Sequence, residues 1–116
     1  GNFPRERQRL FDVIRDTGAS GIVFLSGDRH IGAVYRETSG VPYPLIEITS
    51  SGINMSYSAS NEAGPNRIGA VYGEVNFGTV DVDWSKGSVT LSVRDVNGAP
   101  VRGHTVSLNE LRSAAK

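Results

Sequence analysis

The chain contains no cysteine, which excludes disulfides and thiolate-held metals and leaves the redox compartment open. No apolar run approaches the length of a membrane span, and no signal peptide is visible. Charge of either sign is not in surplus. Twelve basic side chains balance twelve acidic ones, so no whole-chain field recruits nucleic acid or an anionic membrane. Also missing are a G-x-S-x-G elbow, a G-x-x-x-x-G-K-[ST] loop and any Ser/His/Asp order that suggests acyl transfer. The single methionine is Met55 and the chain opens at Gly1, so a processed, proteolysed or designed fragment is expected.

What is present suits one domain. The 116 residues can bury a modest core, and 14 glycines with 38% hydrophobic content fit a turn-rich, strand-rich fold. Residues 4–17 read as an amphipathic helix. Pro4 suits the first turn, Leu10, Phe11 and Ile14 form an apolar stripe, and Gly18 is placed to end it. Arg5, Arg7, Arg9 and Arg15 decorate its solvent face. Gly21–Leu25 reads as a buried strand, and Ile31–Glu37 as a strand or an irregular crossing segment. Pro42 and Pro44 lead into a strand at Leu45–Thr49. Residues 53–67 lack periodicity and read as a long loop.

A β-meander follows. Val71, Val75 and Phe77 share one parity and Val80, Val82 and Trp84 the other, which predicts a bulge or turn near Gly78-Thr79. Val89, Leu91 and Val93 alternate cleanly, and Asn97-Gly98 signals a hairpin. Val101 against Val106 predicts a second break near Gly103, and 108–115 a short closing helix capped by Ser107 or Asn109.

Ser26-Gly27-Asp28-Arg29-His30 is the most informative stretch. An Asp and a His just past a strand tip can enter one crevice, where loops on a sheet build sites. Their oxygen and nitrogen donors together suit Mn, Fe, Zn or Co better than Ca alone. The same residues also suit a turn in which Asp28 caps a backbone N–H. In extended chain, Asp28 and His30 project to one side and Arg29 to the other, as a salt-bridge partner. Glu47 faces away from whatever Ile46 and Ile48 bury. Ser50, Ser51, Gly52 and Asn54 follow a strand that can end beside the Asp28 tip, and Arg67 can fork onto a phosphate. Asp81 and Asp83 share a wet strand face, and His104 is a surface strand residue.

The run Gly21-Ile-Val-Phe-Leu-Ser-Gly-Asp-Arg-His30 resembles the last metal-binding motif of calcineurin-like metallophosphoesterases, and in particular the alkaline phosphatase D (PhoD-like) branch. Pro4–Leu10, Tyr43–Gly52, and Asn66-Arg67 leading to Asn76-Phe77-Gly78 also resemble that branch, in the same order. The resemblance implies an α/β (α+β) fold, the C-terminal part of an αββα sandwich, with 1–116 forming a single incomplete domain. It implies a bimetal phosphodiesterase or alkaline phosphatase with a phosphate ester as substrate. Asp28, where most relatives outside the branch have His, and His30 would contact two metal ions, with Fe, Mn, Zn, Ca or Mg not distinguished. Ser51, Asn54 and Arg67 would be substrate-binding. The remaining ligands and an Asn-His catalytic motif lie upstream in such enzymes, so the chain alone is expected to be inactive and to self-associate. Relatives are often exported; the residues here do not indicate a compartment. The alternative is a non-catalytic β-rich interaction module.

Overall fold

The computed structural model describes residues 3–56, 64 and 66–113. It is a mixed α+β, strand-rich architecture of one N-terminal helix and two sheets. Helix α1 spans Pro4–Thr17. Proline at its start costs no intrahelical bond, because the first N–H groups have no helical acceptor. Gly18 ends it at φ 69°, donating its N–H to the Arg15 carbonyl. Phe11 and Ile14 are buried, while Leu10 stays 44% exposed, so the apolar stripe is narrower than its spacing predicts.

The first sheet contains β1 (Val23–Ser26), β2 (Gly32–Glu37), β3 (Leu45–Ser50) and β4 (Arg67–Tyr72) in the order β1-β3-β2-β4. β1 runs parallel to β3, and β2 is antiparallel to both β3 and β4. The second sheet is the antiparallel meander β5 (Phe77–Asp83), β6 (Ser88–Arg94) and β7 (Pro100–Ser107). Residues 31–37 thus resolve into a strand from Gly32, whose pairing with β4 shifts register between Gly32 and Val34.

Period-two geometry sorts the side chains. Val23, Leu25, Val34, Ile46 and Ile48 lie on the inner face of the first sheet. All but Leu25 meet Val89, Leu91 and Val93 of the second in one core, where Val34, Ile46, Leu91 and Val93 are fully buried. On the outer face stand Phe24, Ser26, Tyr35, Leu45, Glu47, Thr49 and Arg67, partly covered by α1.

The predicted break at Gly78-Thr79 is not there. β5 pairs with β6 without interruption from Phe77 to Asp83; the parity changes because Val71 belongs to the first sheet, while in β5 Val80 faces the core and Phe77 the opposite side. Nor does the register shift at Gly103, which pairs with Ser92. The extra residue is Val101, since Val93 faces Arg102 and Arg94 faces Pro100. The closing helix is a 3-10 turn, Leu108–Leu111. Ser107 caps it reciprocally with Glu110. The loop read at 53–67 and the helix read to Ala115 extend partly outside the described residues.

Tyr43 fastens the helix exit to the start of β3, donating its hydroxyl to the Ala19 carbonyl at 2.6 Å. Burial raises its pKa above the ordinary value, against a smaller opposing effect of a backbone hydrogen bond at Ile22. A raised acid pKa in the fold means that the unfolded chain loses its proton first. The contribution is therefore complete below the ordinary tyrosine pKa of about 10 and fades as pH rises through the folded value. Urea midpoints should fall above that pH in the native chain and fall less in Tyr43→Phe; parallel curves for the two would remove Tyr43 as the cause.

Candidate metal-binding turn

β1 delivers the chain to the turn at its C-terminal end. Asp28 and His30 both adopt left-handed backbone, at φ 73° and 57°. Among L residues that conformation is uncommon, and it persists where surrounding contacts impose it. The turn is therefore not extended, and the two-residue alternation expected for Asp28, Arg29 and His30 does not govern them.

The contacts that hold the turn come from the segment after β3. Ser51 Oγ accepts the His30 backbone N–H at 2.9 Å, and the Ser51 N–H reaches the Ile31 carbonyl at 3.2 Å. A Cβ on Gly27 would sit 3.5 Å from that of Ser51, in ordinary contact. Ser51, predicted to touch substrate, thus stands beside the metal motif and holds its backbone.

His30 Nδ1 lies 3.1 Å from the Met55 carbonyl oxygen. A carbonyl can only accept, so this bond places the hydrogen on Nδ1 and the lone pair on Nε2. Metal-ligating histidines are held in this way, the second nitrogen donating to a carbonyl or carboxylate. Asp28 is exposed and His30 half-buried. Each carries a donor of a type that divalent ions take. A catalytic ion needs at least three protein ligands, and among the described residues no group of three His, Asp or Glu could hold one.

Beneath the turn is a residue that the spacing did not reveal. Asn76 is 1% exposed, and its Oδ1 accepts from Ser50 Oγ at 2.7 Å. Its Nδ2 donates to the Glu74 carbonyl and its N–H to the Gly52 carbonyl. An added Cβ would stand 2.6 Å from Asn76 Nδ2 at Gly52 and 2.5 Å from Val93 Cγ1 at Gly32. Both glycines let the second sheet approach the back of the site. Asn76 thereby fixes Ser50–Gly52, which in turn fixes His30.

Arg67 opens β4 on the outer face, donating through Nε to the Gly69 carbonyl at 3.0 Å. It lines a recess with Ser26, Arg29, Tyr35, Glu47, Thr49 and Gly64. Arg29, expected to turn away from the site chemistry, thus shares a wall with Arg67. Glu47 does face away from Ile46 and Ile48, and accepts the Ser26 hydroxyl at 2.6 Å. Asn54 is exposed, and no hydrogen bond from its side chain to a described residue is seen. Asp83 accepts from the Lys86 N–H and, with a smaller effect, from the Ser85 hydroxyl, which lower its pKa, and Asp81 stands 3.9 Å from Arg94.

No described helix is long and apolar enough to cross a membrane. Comparison with models of protein families, with curated proteins and with solved structures found no significant match.

Proposed function

We propose that this chain is the C-terminal part of a PhoD-like metallophosphoesterase and supplies Asp28 and His30 to a two-metal centre that hydrolyses phosphate esters. The observation that carries the reading is the turn itself. Its two candidate ligands sit in left-handed backbone at a strand's C-terminal end, with His30 fixed through Nδ1 on Met55. When bound, two metal ions would clamp phosphate oxygens and lower the pKa of a water. The residues of this chain hold and orient: Ser51 sets the His30 backbone, and Asn76 sets Ser51.

The edge formed by β1 and β5 supports an incomplete domain. Leu25 and Val80 belong to the inner faces of the sandwich yet are 69% and 43% exposed. Between them a cavity of about 200 Å³ opens, with Ile48 and Ser50 behind it. Among the described residues, both edge strands have one unpaired side. Layered α/β domains cover such edges with further strands. The alternative, a β-rich interaction module, draws on the same exposed edge, which could seat a partner.

Metal binding and association together separate the two. The chain alone should bind Mn²⁺ or Zn²⁺ weakly, hydrolyse no chromogenic phosphate ester, and associate as its concentration rises. Burial of apolar surface contributes roughly 25 cal/mol per Å², enough to join copies along the open edge. Leu25→Lys with Val80→Lys should suppress association in sedimentation. Tight stoichiometric binding of two ions by a strict monomer would contradict the fragment reading, and complete indifference to metal would favour the interaction module.

A further inference from the structure

The space between α1 and the outer face of the first sheet has a chemistry of its own. Phe11 and Ile14 are the buried residues of the helix, and beside them a cavity of about 380 Å³ stays open. Three aromatic side chains line it: Phe11 of α1, Phe24 of β1 and Tyr35 of β2. Strand pairing sets Glu47 in one row with two of them, because its neighbours across the sheet are Phe24 on one side and Tyr35 on the other. The helix also contributes Arg7, but that charge is already matched. Its guanidinium pairs with Glu37 at 3.2 Å and lies 4.8 Å from the centre of the Phe11 ring. Glu37 accepts from Asn66 as well. Glu47 is in a different position. It accepts the Ser26 hydroxyl at 2.6 Å, and no described cation forms an ion pair with it. Arg7 offsets Glu37, so the lining keeps the single negative charge of Glu47 among aromatic rings.

We propose that this cavity binds an organic ammonium ion, a positively charged nitrogen that carries alkyl or benzyl groups. The face of an aromatic ring attracts a cation through its quadrupole, and the attraction grows as water is excluded. The carboxylate in the same row supplies the countercharge that a partly desolvated cation requires. Phe24, Glu47 and Tyr35 stand on three hydrogen-bonded strands, so their spacing is fixed before a ligand arrives. A neutral guest would fill the same volume and leave Glu47 without a partner, and an anion would meet its repulsion. A hard metal ion prefers several oxygen ligands, whereas the lining is mostly apolar and its other carboxylate is held by Arg7 and Asn66. The site takes no metal, so it is tested with chelator present, independently of the reading of Asp28 and His30.

Amide chemical shifts of this chain, titrated with benzyltrimethylammonium chloride at constant ionic strength and with chelator, read the site directly. The titration is run at a dilution where sedimentation gives a monomer. The amides of Phe24, Tyr35 and Glu47 should move together and saturate. Benzyl alcohol, which keeps the ring and lacks the charge, should bind at least tenfold more weakly, and benzoate should leave these amides in place. Glu47→Gln keeps the size of the side chain and removes its charge. It should lower affinity for the cation about tenfold and leave that for benzyl alcohol unchanged, a split that a merely structural role would not produce. Phe24→Leu provides a second variant if Glu47→Gln folds poorly, with a loss of about fivefold for one ring. Equal affinity for the cation and for benzyl alcohol would make the cavity an apolar pocket and overturn the proposal. So would saturable binding of benzoate, an undiminished response to the cation in both variants, or none in the native chain.

Discussion

If the chain belongs to the proposed metallophosphoesterase, alanine at position 30 should lower phosphate-ester turnover of that enzyme by about 100-fold or more, and should reduce its bound metal. Changes behind a ligand already cost roughly 10–100-fold in affinity or activity, and this substitution removes the donor itself. The Met55 carbonyl also loses the N–H that fixes the ring. Metal content by elemental analysis and turnover of a chromogenic diester should fall together. Full metal occupancy with native turnover in His30→Ala would remove His30 from the centre. A loss of turnover with metal retained would move its role from ligand to proton transfer.

The second large effect is structural and reaches the same turn from behind. Asn76→Ala should destabilise the chain by roughly 2–4 kcal/mol, since it removes buried hydrogen bonds to Ser50 and Glu74 and leaves a void. The Asn76 backbone bond to Gly52 survives the substitution, so the fold should persist with a lower urea midpoint. Because Ser50–Gly52 carries Ser51 to the His30 N–H, amide exchange at His30 should accelerate beyond the global loss of stability. Uniform acceleration across the chain would show that Asn76 supports the fold alone and does not position the turn.

Parts of the molecule were legible in proportion to how local their causes are. Helix 4–17 is bounded by Pro4 and Gly18, whose backbone restrictions act at their own positions. Val89, Leu91 and Val93 announce a strand because their alternation matches the pleat. The bulge was misplaced at Gly103 because glycine is the residue that permits irregularity. Its actual position, Val101, follows from the turn at 95–99, where Asp95 accepts from the Asn97 and Ala99 N–H groups and the Asp95 N–H reaches the Ala99 carbonyl. The apparent flip at Gly78 arose from reading two sheets as one and Phe77 as inward-facing.

The site divides in the same way. Asp28 and His30 are candidates by residue type and by the strand before them. Their left-handed backbone was not legible, and the His30 N–H is held by Ser51, whose approach depends on how β3 pairs. Asn76 gave no spacing signal, because it acts across the two sheets. Among the glycines, 32 and 52 came closest to a clue, but their reason is a side chain in another element.

β1 is four residues long, is laddered on one side only among the described residues, and runs within two residues of Asp28. In the proposed enzyme, a strand that paired with the open side of β1 would steady the turn, and an ion bound by the turn would strengthen that pairing in return. Thermodynamic reciprocity makes the two couplings equal. The edge would then act as a safeguard, with ligands reaching their productive arrangement only once the sheet is complete, so that a half-assembled protein carries no stray hydrolytic activity.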